Sequence, residues 1–304
     1  MKPDGRIREL DAVRGFALCG ITFVNVVGIT GVHRRHMAYE VLLHQRFFPV
    51  FAFLFGLGCA LFLRAHESRT ALVARLGFLI PIGAAHQVLQ PDEVLLPYAV
   101  AGLVLIVPAS FLPHVAALWG GAVFACAAVF VGEGGNLLIP GAVLLGFASA
   151  YYPVPDWRWI GAASGAGAVV LGVWQIFSPE PAAIAGVITG VAYASGLVLL
   201  LGTRARAALL FFLEPLGRLA LTNYLSATVL VVLADRYLRL GRLDSAAGLA
   251  VAVLLVQVAF GRWWLRRFRL GPAEWVWRCL TWWRVVPLRS SYDRVDGRTG
   301  EHAP

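Results

Sequence analysis

Leu10-Asp11-Ala12-Val13-Arg14-Gly15-Phe16-Ala17-Leu18-Cys19-Gly20-Ile21-Thr22-Phe23-Val24-Asn25 opens the first long apolar run of the chain. An acid and a base three residues apart stand at its mouth. On a helix that spacing puts Asp11 and Arg14 on one face, close enough to pair. An arginine taken into a bilayer costs about 2.5–3.5 kcal/mol at the centre of a span and less near its end. The pair therefore marks either an anchor or a site. As an anchor, Arg14 would snorkel to the headgroups while Asp11 capped the helix. A basic leader before an apolar run also looks like a signal peptide. No small-x-small cleavage site follows, however, and Asn25 interrupts the run, so the stretch is read as a retained first span.

The rest of the composition agrees with that reading. The chain is 59% hydrophobic and 14% charged, against about 25% charged in average soluble domains, and its mean hydropathy is +0.73. Hydropathy windows predict an all-α, polytopic transmembrane helix bundle of about ten spans. They fall near residues 10–32, 47–63, 71–90, 94–112, 114–132, 137–152, 160–177, 182–201, 217–234 and 246–265. Ala207 to Leu213 reads as a half-helix or interfacial segment before Pro215. Arg262 to Arg278 mixes indoles with guanidiniums, the composition of an interfacial anchor. No linker or repeat divides residues 1–289, which are read as one bundle; residues 290–304 are polar and are expected to form a disordered cytoplasmic tail.

The net charge of +9 is almost entirely arginine flanking apolar runs, which points to a lipid bilayer as the first partner. Counting arginines at span ends predicts both termini in the cytoplasm and a multi-pass protein of the cell membrane. No basic helix interleaved with aromatics suggests nucleic acid. The four cysteines have no paired spacing and read as buried free thiols. There is no phosphate-binding P-loop, no Gly-x-Ser-x-Gly elbow and no HExxH. The glycines at Gly161 to Gly167 read as helix-packing positions.

A short set of polar residues remains. His33 and His36 frame two arginines in the first outer loop; those arginines oppose a cation, and no metal is expected there. His44 precedes Arg46-Phe47-Phe48-Pro49, and His86 ends the third span near Asp92 and Glu93. Imidazole, neutral and basic near physiological pH, suits proton transfer or acyl carrying.

The pattern Leu-Asp-x-x-Arg-Gly-Phe-Ala-Leu-x-Gly-Ile-x-x-x-Asn, Leu10 to Asn25, resembles the opening of the YeiB family, catalogued as domain of unknown function 418 (DUF418). Phe47-Phe48-Pro49-Val50-Phe51-Ala52-Phe53-Leu54-Phe55-Gly56-Leu57-Gly58 resembles a second family block. The third runs from Pro215-Leu216-Gly217-Arg218-Leu219-Ala220-Leu221-Thr222-Asn223-Tyr224 to Gly271-Pro272-Ala273-Glu274-Trp275-Val276-Trp277-Arg278, so the DUF418-like part lies at about 200–285. The family's His, Gly-Asp and Tyr are met by His86, Asp92 and Tyr98, with Pro91 in the place of the glycine.

The resemblance extends at a distance to the transmembrane acyltransferase superfamily. In its acyltransferase-3 branch a functional His stands fourteen residues after the Asp, where this chain has Asn25. In the branch of heparan-alpha-glucosaminide N-acetyltransferase the opening ends in Val-Asn, as at Val24-Asn25. The essential His there lies in the next outer loop, before a Phe-Pro-x-Phe-x-Phe-x-x-Gly span like Phe48 to Gly56, and His36 is one position from the counterpart spacing. Asp11 and His36 are 25 residues apart, about 37 Å if helical, which implies two stations. Asp11, Arg14, Arg64, Arg75 and Arg218 would hold the phosphates of a cytoplasmic acyl-CoA-like donor. His36 or His86, with Asp92 to orient it and Asn25 to steady an oxyanion, would pass the acyl group to an extracytoplasmic sugar or lipid-linked acceptor. No bound cofactor is implied. Two other readings are a small-metabolite transporter or exporter, and a membrane protein without catalytic activity.

Overall fold

The computed structural model describes residues 7–32, 37–131, 135–154, 156–178, 182–238 and 241–289. Among them there are helices and no strands. In chain order these are α1 (Arg8–Thr30), α2 (Met37–Leu42), α3 (Phe47–His66), α4 (Arg69–Gln87), α5 (Leu95–Ala101), α6 (Val107–Ala109) and α7 (His114–Phe130). They are followed by α8 (Leu138–Ser149), α9 (Trp157–Phe177), α10 (Ala182–Leu200), α11 (Arg206–Arg218), α12 (Ala220–Leu238), α13 (Leu243–Leu265) and α14 (Pro272–Trp282). A π-helical turn over Gly102–Ile106 joins α5 to α6.

Helix ends follow local chemistry. Ser68 caps α4 by accepting from the Ala71 N–H at 3.1 Å, and Asp156 does the same for α9 from the Arg158 N–H at 2.9 Å. Asp11 is not a cap: the residue before α1 is Ile7, and Asp11 lies buried one turn in.

The solvent these helices require is visible in α9. None of its residues is buried, yet it carries Trp159 at 77% exposure and Phe177 at 82%. An apolar face of that extent is stable in lipid and not in water. The chain is a helical membrane protein. A helix occupies each of the ten predicted segments, but the ten-span expectation is only partly met. Among the described residues five helical stretches are long and apolar enough to cross a membrane, and six if α11 and α12, bent by 83° at their junction, count as one. The physical reasons are length and polarity: α8 has only 12 residues, about 18 Å, and α4, though 19 residues long, carries Arg75, His86 and Gln87 in its apolar run.

Glycines let the key helices touch. A Cβ on Gly15 would stand 2.1 Å from the Leu213 carbonyl oxygen, and one on Gly217 would stand 1.8 Å from that of Asp11. The motif at the start of the chain is thereby pressed backbone-to-backbone against α11. Gly56 and Gly146 join α3 to α8 in the same way, since a Cβ on them would stand 2.0 and 1.9 Å from the opposing carbonyl oxygens. One buried cluster, Leu18, Ile21, Phe47, Leu79, Leu95, Leu216, Leu221, Tyr224 and Val258, ties α1, α3, α4, α5, α11, α12 and α13 together. The candidate site lies beside it.

Candidate functional site: a buried histidine and an arginine cluster

α12 starts in the protein interior, so the N–H groups of its first turn need acceptors. Glu274 of α14 supplies them, taking hydrogen bonds from the Leu221 N–H at 2.7 Å, the Thr222 N–H at 3.1 Å and the Thr222 hydroxyl. The Thr222 hydroxyl oxygen in turn accepts from the Ala273 N–H at 3.1 Å. The two ends of the third sequence block thus meet as helix and cap. Burial pushes the Glu274 carboxyl above its ordinary pKa, against the hydrogen bonds that favour its ionised form. The Arg262–Arg278 segment is therefore more than an anchor.

Around this joint stand the charges of the first motif. Asp11 and Arg14 pair at 3.4 Å, as their spacing predicts. Arg75 of α4 lies in the electrostatic field of Arg14, Arg278 and Glu274. Its guanidinium covers the Trp277 ring at 3.6 Å, and the Trp277 indole N–H donates to the Arg75 carbonyl at 2.7 Å. Arg14, Arg75 and Arg278 form one cluster drawn from α1, α4 and α14. Of the other predicted donor-binding residues, Arg64 is exposed and donates to the Ala150 carbonyl at 2.7 Å, closing the end of α8. Arg218 stands 3.9 Å from Glu214 in a separate cleft. Neither joins the cluster.

Two residues beyond Thr222 on α12 lies Tyr224, and against it His86, with ring centroids 4.9 Å apart. His86 Nδ1 is 3.5 Å from a Glu93 carboxylate oxygen, and both side chains are shut away from solvent at 3% and 0% exposure. Glu93 is held by the start of α5, accepting from the Leu95 N–H at 2.8 Å and the Leu96 N–H at 2.6 Å. The Tyr224 oxygen accepts from the Val94 N–H at 3.3 Å, which leaves the phenolic proton to donate. Neither ring nitrogen of His86 makes a hydrogen bond. A buried polar group without a partner is rare and calls for a reason, such as a catalytic role.

More buried polar groups continue this locus along α12. The Thr228 hydroxyl donates to Gln90 at 2.8 Å, and the Gln257 amide donates to the Asn223 carbonyl at 2.7 Å. The Asn223 and Gln257 side-chain oxygens lack partners as well.

Of the predicted acyl-transfer residues, then, His86 is in the locus. Asp92 is exposed, and its neighbour Glu93 takes the place beside His86. Asn25 is half-buried on α1, next to Val26, which packs with Ala227 and Val231 of α12. His33 and His36 lie outside the described residues. His44 pairs with Glu40 at 2.7 Å on α2 and its following turn. Among the described residues no three His, Cys, Asp or Glu side chains gather to hold a metal ion. All four cysteines are free thiols; Cys59 is buried, while Cys126 is exposed rather than buried.

The sequence reading noted Glu93 beside His86 but gave the orienting role to Asp92, and it assigned no role to Tyr224 or Glu274. For Glu93 a signal existed: an acid just ahead of Leu95 has the placement of a helix-start acceptor, which turns its side chain inward. Tyr224 and Glu274 stood in the quoted family block but carried no role there.

Residues 142–284 match the family described as "Protein of unknown function (DUF418)". The chain is 29% identical to the "Uncharacterized 39.9 kDa protein in amylase 3'region" of Bacillus acidopullulyticus, an alignment covering 94% of this chain and 96% of that one. It is 38% identical to YxaH of Bacillus subtilis (strain 168) over 28% of this chain and 22% of the relative. It is 37% identical to YeiB of Escherichia coli (strain K12) over 30% of this chain and 24% of the relative. No solved structure matches. The DUF418 match takes in α11, α12 and α14, hence Tyr224, Glu274 and Arg278, while His86 and Glu93 come from outside it.

Proposed function

We propose that this DUF418-family membrane protein is an acyltransferase, with His86 as its general base and the Arg14–Arg75–Arg278 cluster as the site for the phosphates of an acyl-CoA-like donor. The observation that carries the reading is His86 itself: a buried imidazole with no hydrogen bond at either nitrogen among the described residues, a carboxylate 3.5 Å from Nδ1 and a phenol against its ring. In the proposed reaction His86 takes the proton from the acceptor's hydroxyl or amine as its oxygen or nitrogen attacks the thioester carbonyl. Glu93 stabilises the imidazolium, and the Tyr224 phenol donates to the oxyanion of the tetrahedral intermediate. The intermediate collapses by expelling the thiolate, which is protonated as the base is restored.

The spacing of the two stations suits one reaction. His86 lies eleven residues along α4 from Arg75, about 16 Å, a span that an extended acyl-carrying arm can cross. Asn25 and His36 remain candidates from the family resemblance, and His36 would act from the loop after α1. The ten-span topology, with both termini and the arginine-rich ends of α1, α4 and α9 in the cytoplasm of a plasma-membrane protein, belongs to the same proposal. The acceptor is then a sugar or lipid-linked group reaching His86 from the other side.

The transporter reading draws on the bent α11–α12 pair, since half-helix N-termini in transporters often face an anionic substrate. Here Glu274 already fills that position, which counts against transport. The test is isotopically labelled acyl-CoA on membranes carrying the protein. Arg75→Gln should weaken donor binding, and His86→Gln should abolish transfer while leaving donor binding intact. Undiminished transfer in His86→Gln contradicts the proposal.

A further inference from the structure

A second site lies away from the histidine, where the start of α1, the polar face of α11 and the end of α13 enclose a cleft of about 350 Å³. Its ten lining residues include four arginines, Arg8, Arg218, Arg262 and Arg266, and one carboxylate, Glu214. That carboxylate is already engaged: Arg8 binds it through two hydrogen bonds of 2.8 and 2.6 Å, and Arg218 stands 3.9 Å off. The walls between the charges are apolar, formed by Leu210, Pro215 and Leu265. Arg262 lies over the Phe211 ring at 3.5 Å. Stacking of that kind fixes a guanidinium plane and presents its edge for forked hydrogen bonds. Among the described residues Arg262 and Arg266 pair with no carboxylate, and two neighbouring guanidiniums of that kind select an anion with several acceptor oxygens, which is the chemistry of a phosphate.

We infer that this cleft binds the phosphate of an anionic phospholipid headgroup. Two features favour a lipid over a soluble phosphate. Residues 255, 259, 262 and 266 fall on one stripe at helical spacing, so the lipid-exposed Leu255, at 56% exposure, leads along α13 to Arg262 and Arg266. An acyl chain lying on that stripe brings its phosphate to the two guanidiniums. The lining of the cleft is also amphipathic, with Phe211, 45% exposed, and Leu265 set among the arginines, the mixture that membrane interfaces favour. A bound headgroup would clamp α11 between α1 and α13. Because Gly217 of α11 rests on the Asp11 carbonyl, occupancy would also steady the first motif. The inference uses no residue of the Arg14–Arg75–Arg278 cluster or the His86 locus, so it stands or falls apart from acyl transfer.

The test compares the full chain in nanodiscs of phosphatidylcholine alone with nanodiscs containing phosphatidylglycerol, reading the thermal unfolding midpoint and, by native mass spectrometry, the lipids retained. The wild type should be stabilised by phosphatidylglycerol and retain it selectively. The pair Arg262→Gln/Arg266→Gln should lose more than half of both effects, and Arg266→Gln alone, at an exposed helix end, should lose part of them while folding normally. Arg158→Gln, an exposed arginine elsewhere, should lose neither. Equal stabilisation and retention in Arg266→Gln, the double variant and the wild type overturns the inference. So does inorganic pyrophosphate in phosphatidylcholine nanodiscs reproducing the stabilisation, since the site would then take a soluble anion.

Discussion

Glu274 and His86 are two shielded titratable groups that meet the same helix two residues apart, at Thr222 and at Tyr224. Glu274 is saturated, with two backbone N–H groups and a hydroxyl donating to it. His86 has a carboxylate and a phenol around it and no hydrogen bond at either nitrogen. The contrast separates structural from chemical burial. A group whose two oxygens both accept hydrogen bonds from the fold holds that fold together. One that is enclosed, correctly surrounded and unsatisfied is held ready for a partner that arrives.

The sharpest way to break that contrast is to remove each group and measure stability. Glu274→Ala strands three donors at the buried start of α12, each worth about 1–3 kcal/mol when left without an acceptor. It should lower unfolding stability in detergent by about 3 kcal/mol or more. His86→Gln strands nothing, and its stability should stay within about 1 kcal/mol of the wild type, the scale of a conservative change with no lost hydrogen bond. If the two variants are equally destabilised, the distinction fails.

Next in size is the seam between α1 and α11. Gly217→Ala places a methyl group 1.8 Å from the Asp11 carbonyl oxygen, and overpacking of that kind costs about 1–3 kcal/mol. The Asp11–Arg14 pair should loosen with it, so donor binding should fall together with the unfolding midpoint. Normal donor binding in a destabilised Gly217→Ala variant would separate the first motif from the donor site.

The smallest expected effect is on pH. Burial holds the Glu274 pKa above its ordinary value, so the folded state keeps a proton that the unfolded state gives up. Relative to Glu274→Gln, the wild type should lose stability as pH rises from the ordinary glutamate value, about 4.3, through the raised one, and should change no further above it. A wild type that gains stability over that window would mean that the three hydrogen bonds outweigh burial.

Much of this was legible in the sequence, and the reasons for the rest are specific. Apolar periodicity located the helices, and a spacing of three paired Asp11 with Arg14. The half-helix reading of Ala207 to Leu213 was right about a break, which falls after Arg218 rather than at Pro215, a residue that α11 carries within it. Helix lengths were less accessible, because a hydropathy window does not register that α8 stops after 12 residues. Choosing Asp92 over Glu93 was a one-residue matter of phase, decided by the two N–H groups that Glu93 caps. The cap by Glu274 spans more than fifty positions; no local pattern announces such a contact, although both ends lay in the family-like block. The separation of stations estimated from Asp11 and His36 also does not apply to His86, which shares α4 with Arg75.

The central claim is that His86 performs chemistry, and its most direct test is the turnover of labelled acyl-CoA by purified wild type and His86→Gln at matched amounts of folded protein. The account predicts a rate at least about 100-fold lower in the variant, within the range for loss of a general base, with an unchanged unfolding midpoint and unchanged donor binding. A rate within twofold of the wild type would contradict it.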